Sequence, residues 1–108
     1  MQQEIAIFDL KSVIEKVEEL SADIRFFFLI IELKDAKNCV KIKYDELASA
    51  LGVCVRSLKN WAKNLNDCNV LRARTKADEL VGVLNPDFFF VGSQSDYAEA
   101  LAQWRKAG

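Results

Sequence analysis

The apolar positions of this chain fall into blocks of helical and of alternating period, separated by short polar punctuation. Leu10, Val13, Ile14, Val17 and Leu20 recur at helical spacing and predict a first helix. Asp9 or Ser12 is placed to cap it, and Glu15, three after Ser12, completes a capping box. Ahead of it, Ile5, Ile7 and Phe8 form a short lead-in that reads as extended or helical. Ser21 is placed to cap a second helix. There Ile24, Phe27, Phe28 and Ile31, widened by Phe26, Leu29 and Ile30, make a nearly all-round apolar surface, the mark of a buried core helix. Helicity fades through residues 34–38.

From Cys39 to Lys43 the pattern alternates, predicting a strand with Val40 and Ile42 inward. Tyr44 to Leu51 reads as a helix with Leu47, Ala48 and Leu51 on one face. Gly52 ends it, supplying the positive φ of a helix C-terminus. A further helix runs from about Val55 to Asn66 on the stripe Leu58, Trp61, Ala62 and Leu65, with Asn69 suited to a left-handed position just beyond. Residues 70–75 and 80–84 read as a hairpin, stopped at Asn85-Pro86 because proline cannot donate to a ladder. Residues 87–91 anchor three phenylalanines on the core. Ser95 or Asp96 caps a last helix through Lys106 with Tyr97, Leu101 and Trp104 on one side. The order is helix, helix, strand, helix, turn, helix, strand, strand, helix. It predicts an α+β fold, mainly α: a winged helix-turn-helix with an N-terminal helix, a small antiparallel sheet and a C-terminal helix.

Composition narrows the class. The chain has 108 residues, 51% hydrophobic and 29% charged, enough for one soluble domain with a core and without a Pro/Gly linker or repeat. The run from Ile24 to Leu33 is too short to span a membrane, which needs about 20 residues. Met-Gln-Gln-Glu lacks a basic leader, so a cytoplasmic protein is expected. Cys39, Cys54 and Cys68 are an odd, widely spaced set and read as buried reduced thiols. With no histidine in the chain, neither a metal site nor a triad-type hydrolase is expected. The scattered glycines form no phosphate loop, and the adjacent acidic pairs Asp45-Glu46 and Asp78-Glu79 read as solvated or capping. No cofactor, small-molecule substrate or enzymatic activity is expected.

Charge is unevenly spread. Residues 1–33 carry a net −4, residues 34–76 a net +6 and residues 77–108 a net −3. A basic middle between acidic flanks suits a central element that meets a polyanion. In the segment 45–61, Ala48, Gly52, Val53, Leu58 and Trp61 fill the places that a helix-turn-helix requires: a small residue at the crossing, a glycine in the turn and an apolar clamp. Opposite that clamp the second helix shows Arg56, Lys59, Asn60, Lys63 and Asn64, with no carboxylate on the face. Arg56 and Asn60 suit base edges, while Ser57, Lys59 and Lys63 suit phosphate. An ordinary solvated face is the alternative. On the first wing strand Arg72 and Arg74 point the same way, with Lys76 at the tip. They suit a minor groove or phosphate, or pairing with Asp78 or Glu79 across the hairpin. The tip has no glycine and two acids, so contact by the strand alone is expected. Cys54 stands where a hydroxyl usually caps the recognition helix, and a thiol caps poorly. The first helix and the Tyr97, Leu101, Trp104 stripe are candidate homodimer faces, although core packing explains such stripes more often.

The stretch from Leu80 to Gly92, following this pattern, resembles the end of RepL-type plasmid replication and maintenance proteins, which carry a glycine, then Asn-Pro, then Phe-Phe-x-Gly. Gly82, Asn85, Pro86, Phe89, Phe90 and Gly92 match. The resemblance covers roughly residues 21–106. It implies sequence-specific binding of double-stranded DNA in plasmid replication or copy control, with the recognition-helix positions as contacts. Winged domains of this size also serve as transcription repressors, as centromere-binding adaptors in plasmid partition and as protein–protein adaptors.

Overall fold

The computed structural model describes residues 4–19 and 23–107. The elements are β1 (Glu4–Phe8), α1 (Leu10–Glu19), α2 (Ile24–Leu33), β2 (Cys39–Lys43), α3 (Tyr44–Leu51), α4 (Val55–Asp67), β3 (Leu71–Lys76), β4 (Glu79–Leu84), β5 (Phe89–Ser93) and α5 (Gln94–Ala107). The fold is α+β and mainly helical, with two small antiparallel sheets, β1-β5 and β2-β4-β3. No helix among the described residues is long and apolar enough to cross a membrane.

The three-stranded sheet follows the alternation read from the sequence. Val40, Leu71, Leu80 and Leu84 point inward and are buried. They meet Phe26, Phe27 and Ile30 of α2, Leu47 of α3 and Leu58, Ala62 and Leu65 of α4 in one contiguous cluster that also takes in Val13 and Val17 of α1. Such burial stabilises by about 25 cal/mol for each Å² of apolar surface removed from water. Gly52 closes α3 at φ 66 and Asn69 follows α4 at φ 62, both left-handed as expected.

Several expectations are corrected. The lead-in is a strand, and it pairs with β5, an element the sequence reading lacked; Ala6 lies opposite Val91 and Phe8 opposite Phe89. The cap of α2 is Asp23, whose carboxylate accepts from the Arg25 amide at 2.9 Å; Ser21 and Leu20 lie outside the described residues. The Arg25 guanidinium hydrogen-bonded to Asp23 holds that carboxyl below its usual range. For α1, by contrast, Asp9, one of the two caps expected, is the cap, accepting from the Ser12 amide at 3.2 Å. The last helix begins at Gln94, with Ser93 Oγ accepting from the Asp96 amide at 3.1 Å. Nor is α2 buried all round. Phe28 is 44% exposed, lining with Ile14, Val17 and Trp61 an apolar cleft of about 550 Å³.

The residues that carry the family resemblance build a junction between the two sheets. Asn85 Nδ2 donates to the Asn69 carbonyl at 2.8 Å, and its Oδ1 accepts from the Asp87 amide at 2.9 Å. Buried Asn38 donates to the carbonyls of Leu84 and Phe89 at 3.1 and 2.8 Å. Gly82 lies where a Cβ would come within 2.8 Å of the Arg72 carbonyl oxygen, so no larger residue fits between β3 and β4 without a shift. Phe90 is fully buried, its ring 5.2 Å from that of Tyr97.

Candidate nucleic-acid interface

At 3.6 residues per turn, Arg56, Lys59, Asn60 and Lys63 fall within one side of α4, and Leu58, Ala62 and Leu65 within the other. For these seven the division holds, the first four being exposed and the last three buried, whereas Trp61 and Asn64, read from the sequence as stripe and face, are both half-buried. Lys59 sits with Nζ 5.4 Å from the centre of the Tyr44 ring, a cation–π contact that holds a flexible side chain in place. The Tyr44 hydroxyl in turn lies 3.2 Å from Thr75 Oγ1 of β3. The cationic face of α4 is thereby tied to the hairpin that follows it. Asn66 Nδ2, donating to the Ala73 carbonyl at 3.2 Å, fixes the other end of α4 to the same strand.

The N-terminus of α4 is plain. Cys54 occupies the cap position in extended conformation but makes no side-chain capping bond, as expected of a thiol. Its Sγ lies 3.3 Å from Ser57 Oγ, and that hydroxyl, together with backbone amides, draws the Cys54 thiol below its ordinary pKa. Ser57 is half-buried at the edge of the face. All three cysteines are free; Cys54 is exposed and the other two are half-buried, so none is the fully buried thiol expected. Burial pushes the Cys39 thiol up.

The hairpin separates its two arginines. Arg72 and Arg74 share a face, as alternation requires, yet Arg72 is turned to the C-terminal helix. Its Nη1 donates to the Trp104 carbonyl oxygen at 2.6 Å, and its guanidinium stacks 4.0 Å over the Trp104 ring. A cation there meets one of the carbonyls that a helix end leaves unpaired. This corrects the expectation that Arg72 faces a groove or pairs across the hairpin. Arg74 and Lys76 are exposed. Ala77 makes the tip at φ 54, and the Asp78 carbonyl accepts from the Tyr44 amide at 3.0 Å. Asp78 thus lies beside the first turn of α3, which carries Asp45 and Glu46.

Two further cations join this surface, Lys41 and Lys43, which the sequence reading passed over. Their outward direction followed from Val40 and Ile42 pointing in. Their neighbours did not, because these depend on β2 pairing with β4. In register, Lys41, Val81 and Arg74 form one cross-sheet row and Lys43, Glu79 and Lys76 the next. Lys41 Nζ lies 4.0 Å from Glu79 Oε1 with its side chain 69% exposed, a weak surface pair. No described carboxylate pairs with Arg56, Lys63, Lys43, Arg74 or Lys76.

The proposed dimer stripe of α5 is engaged within the chain: Tyr97 on Phe90 and Trp104 on Arg72. The family model for Firmicute plasmid replication protein (RepL) matches residues 8–108. No curated protein and no solved structure matches the chain.

Proposed function

The chain belongs to the RepL family of Firmicute plasmid replication proteins, and from that premise we propose that it reads double-stranded DNA in sequence-specific fashion. In this reading residues 1–108 form one winged helix-turn-helix domain. It acts without catalysis, in replication or copy control of a plasmid or other mobile element. One observation carries the reading: Arg56, Lys59, Asn60 and Lys63 stand exposed together on α4, backed by a buried apolar stripe, with Asp67 on the same side one turn beyond Lys63, where the helix ends. Helix α4 is the recognition helix, with Arg56 and Asn60 at base edges in the major groove. Ser57, Lys59, Lys63, Arg74 and Lys76 meet phosphate, which fixes register. The hairpin β3–β4 is the wing, and the acids around its tip direct contact to its strand side. Two copies bind repeated half-sites, one turn or a multiple of it apart.

The test is a titration of labelled duplex at several salt concentrations. About four to six phosphate contacts give a slope of log affinity against log salt of roughly −4 to −5. In selections from randomised duplex, Arg56→Ala relaxes the preferred sequence at one position, by about 1–3 kcal/mol, whereas Lys63→Ala weakens all sequences alike. Wild-type behaviour in both variants overturns the assignment. A protein–protein adaptor is the second reading, favoured by Phe8 and Val91, 55% and 54% exposed on the β1-β5 ribbon. Failure to shift random duplex at low salt and about 100 micromolar protein, the weak limit of nonspecific binding, supports it instead.

A further inference from the structure

The outer face of the three-stranded sheet carries more charge than a wing needs. At the edge beneath α5, Arg72 and Val83 are covered. Beyond α5 the sheet is open, and its next two rows place Lys41 and Arg74 on either side of Val81, and Lys43 and Lys76 on either side of Glu79. Strands lie about 4.8 Å apart and alternate residues about 6.7 Å apart along a strand. The four lysine and arginine positions therefore mark a patch roughly 10 Å by 7 Å with one carboxylate at its edge. Between this patch and the end of α5 lies a concavity of about 690 Å³, whose lining includes Lys41, Arg74, Asn66, Gln103 and Lys106, and one acid, Asp35.

This patch is continuous with the α4 face. Lys59 rests on Tyr44, Tyr44 touches Thr75, and Lys43 immediately precedes Tyr44. These links, the last of them along the chain rather than through a contact, lead from the recognition helix to the wing end of the sheet, where Lys43 and Lys76 open its outer side. We infer that DNA gripped by α4 does not leave the protein at the wing tip. Its flanking phosphates continue past Arg74 along the outer face of the sheet, held by Lys41, Lys43 and Lys106. The ligand chemistry is a row of phosphodiesters: cations outnumber the carboxylates Glu79, weakly paired with Lys41, and Asp35, on the wall of the concavity, and the surface is open rather than shaped around a small anion. The inference rests on the proposed DNA binding at α4 and adds to it a second contact region that requires a longer duplex.

The experiment compares two random-sequence duplexes, of about one and about four helical turns, across a salt series. The proteins are wild type, the pair Lys41→Gln with Lys43→Gln, and the pair Arg56→Ala with Lys63→Ala. All substituted side chains are exposed, and thermal melts establish that each variant is folded. The outer-face pair is expected to bind the short duplex as wild type does. On the long one it loses about two units of salt slope, close to 0.9 for each phosphate contact removed, and at least tenfold in affinity at low salt. The α4 pair is expected to weaken on both lengths. Equal loss on both duplexes by the outer-face pair overturns the continuation, placing those cations inside the central footprint. Wild-type binding by that pair on the long duplex overturns the second contact region altogether while leaving α4 as the reader. Absence of binding by the wild-type protein to either duplex removes the α4 reading and this inference with it.

Discussion

Single residues decide how the α4 face is presented. Cys54 has the backbone conformation of a helix cap, φ −84 and ψ 156, but no capping bond. A hydroxyl in that place would accept from an amide of the first turn. Cys54→Ser is therefore expected to stabilise the protein by about 0.5–1 kcal/mol, raising the melting temperature by roughly 2–6 °C for a chain of this size; calorimetry checks it. Gly52 and Asn69 were legible as left-handed positions because the sequence puts each just past the end of an apolar period. Asn38 and Ala77, also at positive φ, were not. Asn38 sits in a run of polar residues that looks solvated, and its burial arises only from contacts with residues 84 and 89, far away in sequence. For Ala77 the sequence offers neither glycine nor asparagine, only the Asp78 that follows it in the turn.

At the scale of elements, the helical and alternating periods placed α1 to α5 and the β2-β4-β3 sheet to within a few residues, since each apolar stripe reports a face that must be buried. The β1-β5 ribbon escaped. Its strands are short, one is a run of apolar residues with no alternation, and their pairing joins opposite ends of the chain. The link between β3 and α5 escaped as well, because a long cation near an exposed-looking tryptophan reads as surface chemistry. Arg72→Ala removes both the bond to the Trp104 carbonyl and the stacking on its ring. It is expected to lower the local opening free energy of the last turns of α5 by about 1 kcal/mol. Amide exchange of residues 101–107 then runs roughly fivefold faster, with α4 unchanged. Arg72→Lys, which keeps the charge but not the planar stacking, recovers only part of it. Hydrogen-exchange mass spectrometry reads both.

For the whole molecule, the net charge of −1 and isoelectric point of about 5.5 describe a protein that should ignore polyanions at neutral pH. The arrangement predicts otherwise. Cations concentrate on α4 and on the outer sheet face, where only Asp67 and Glu79 stand among them, while the other acids are spread over the rest of the chain. Retention on a heparin column at pH 7 and low salt is expected, with elution as salt shortens the screening length to about 3 Å near 1 M. Passage through the column unretained would show that the segregation is too slight to matter. The sequence disclosed this imbalance in its middle third, though not that two of the cations lie on β2 beside the wing.

The pairing of Phe8 with Phe89 has a consequence for the order of events during synthesis. Of the five strands described, the first to leave the ribosome must wait, partnerless, until α1 through β4 have followed it out. Closing so long a loop is slow and entropically costly. The helices and the central hairpin, built from nearer contacts, are free to settle beforehand. Of the five strands, the one made earliest is thus the last to find its partner, a latch that closes over helices and hairpin already in place.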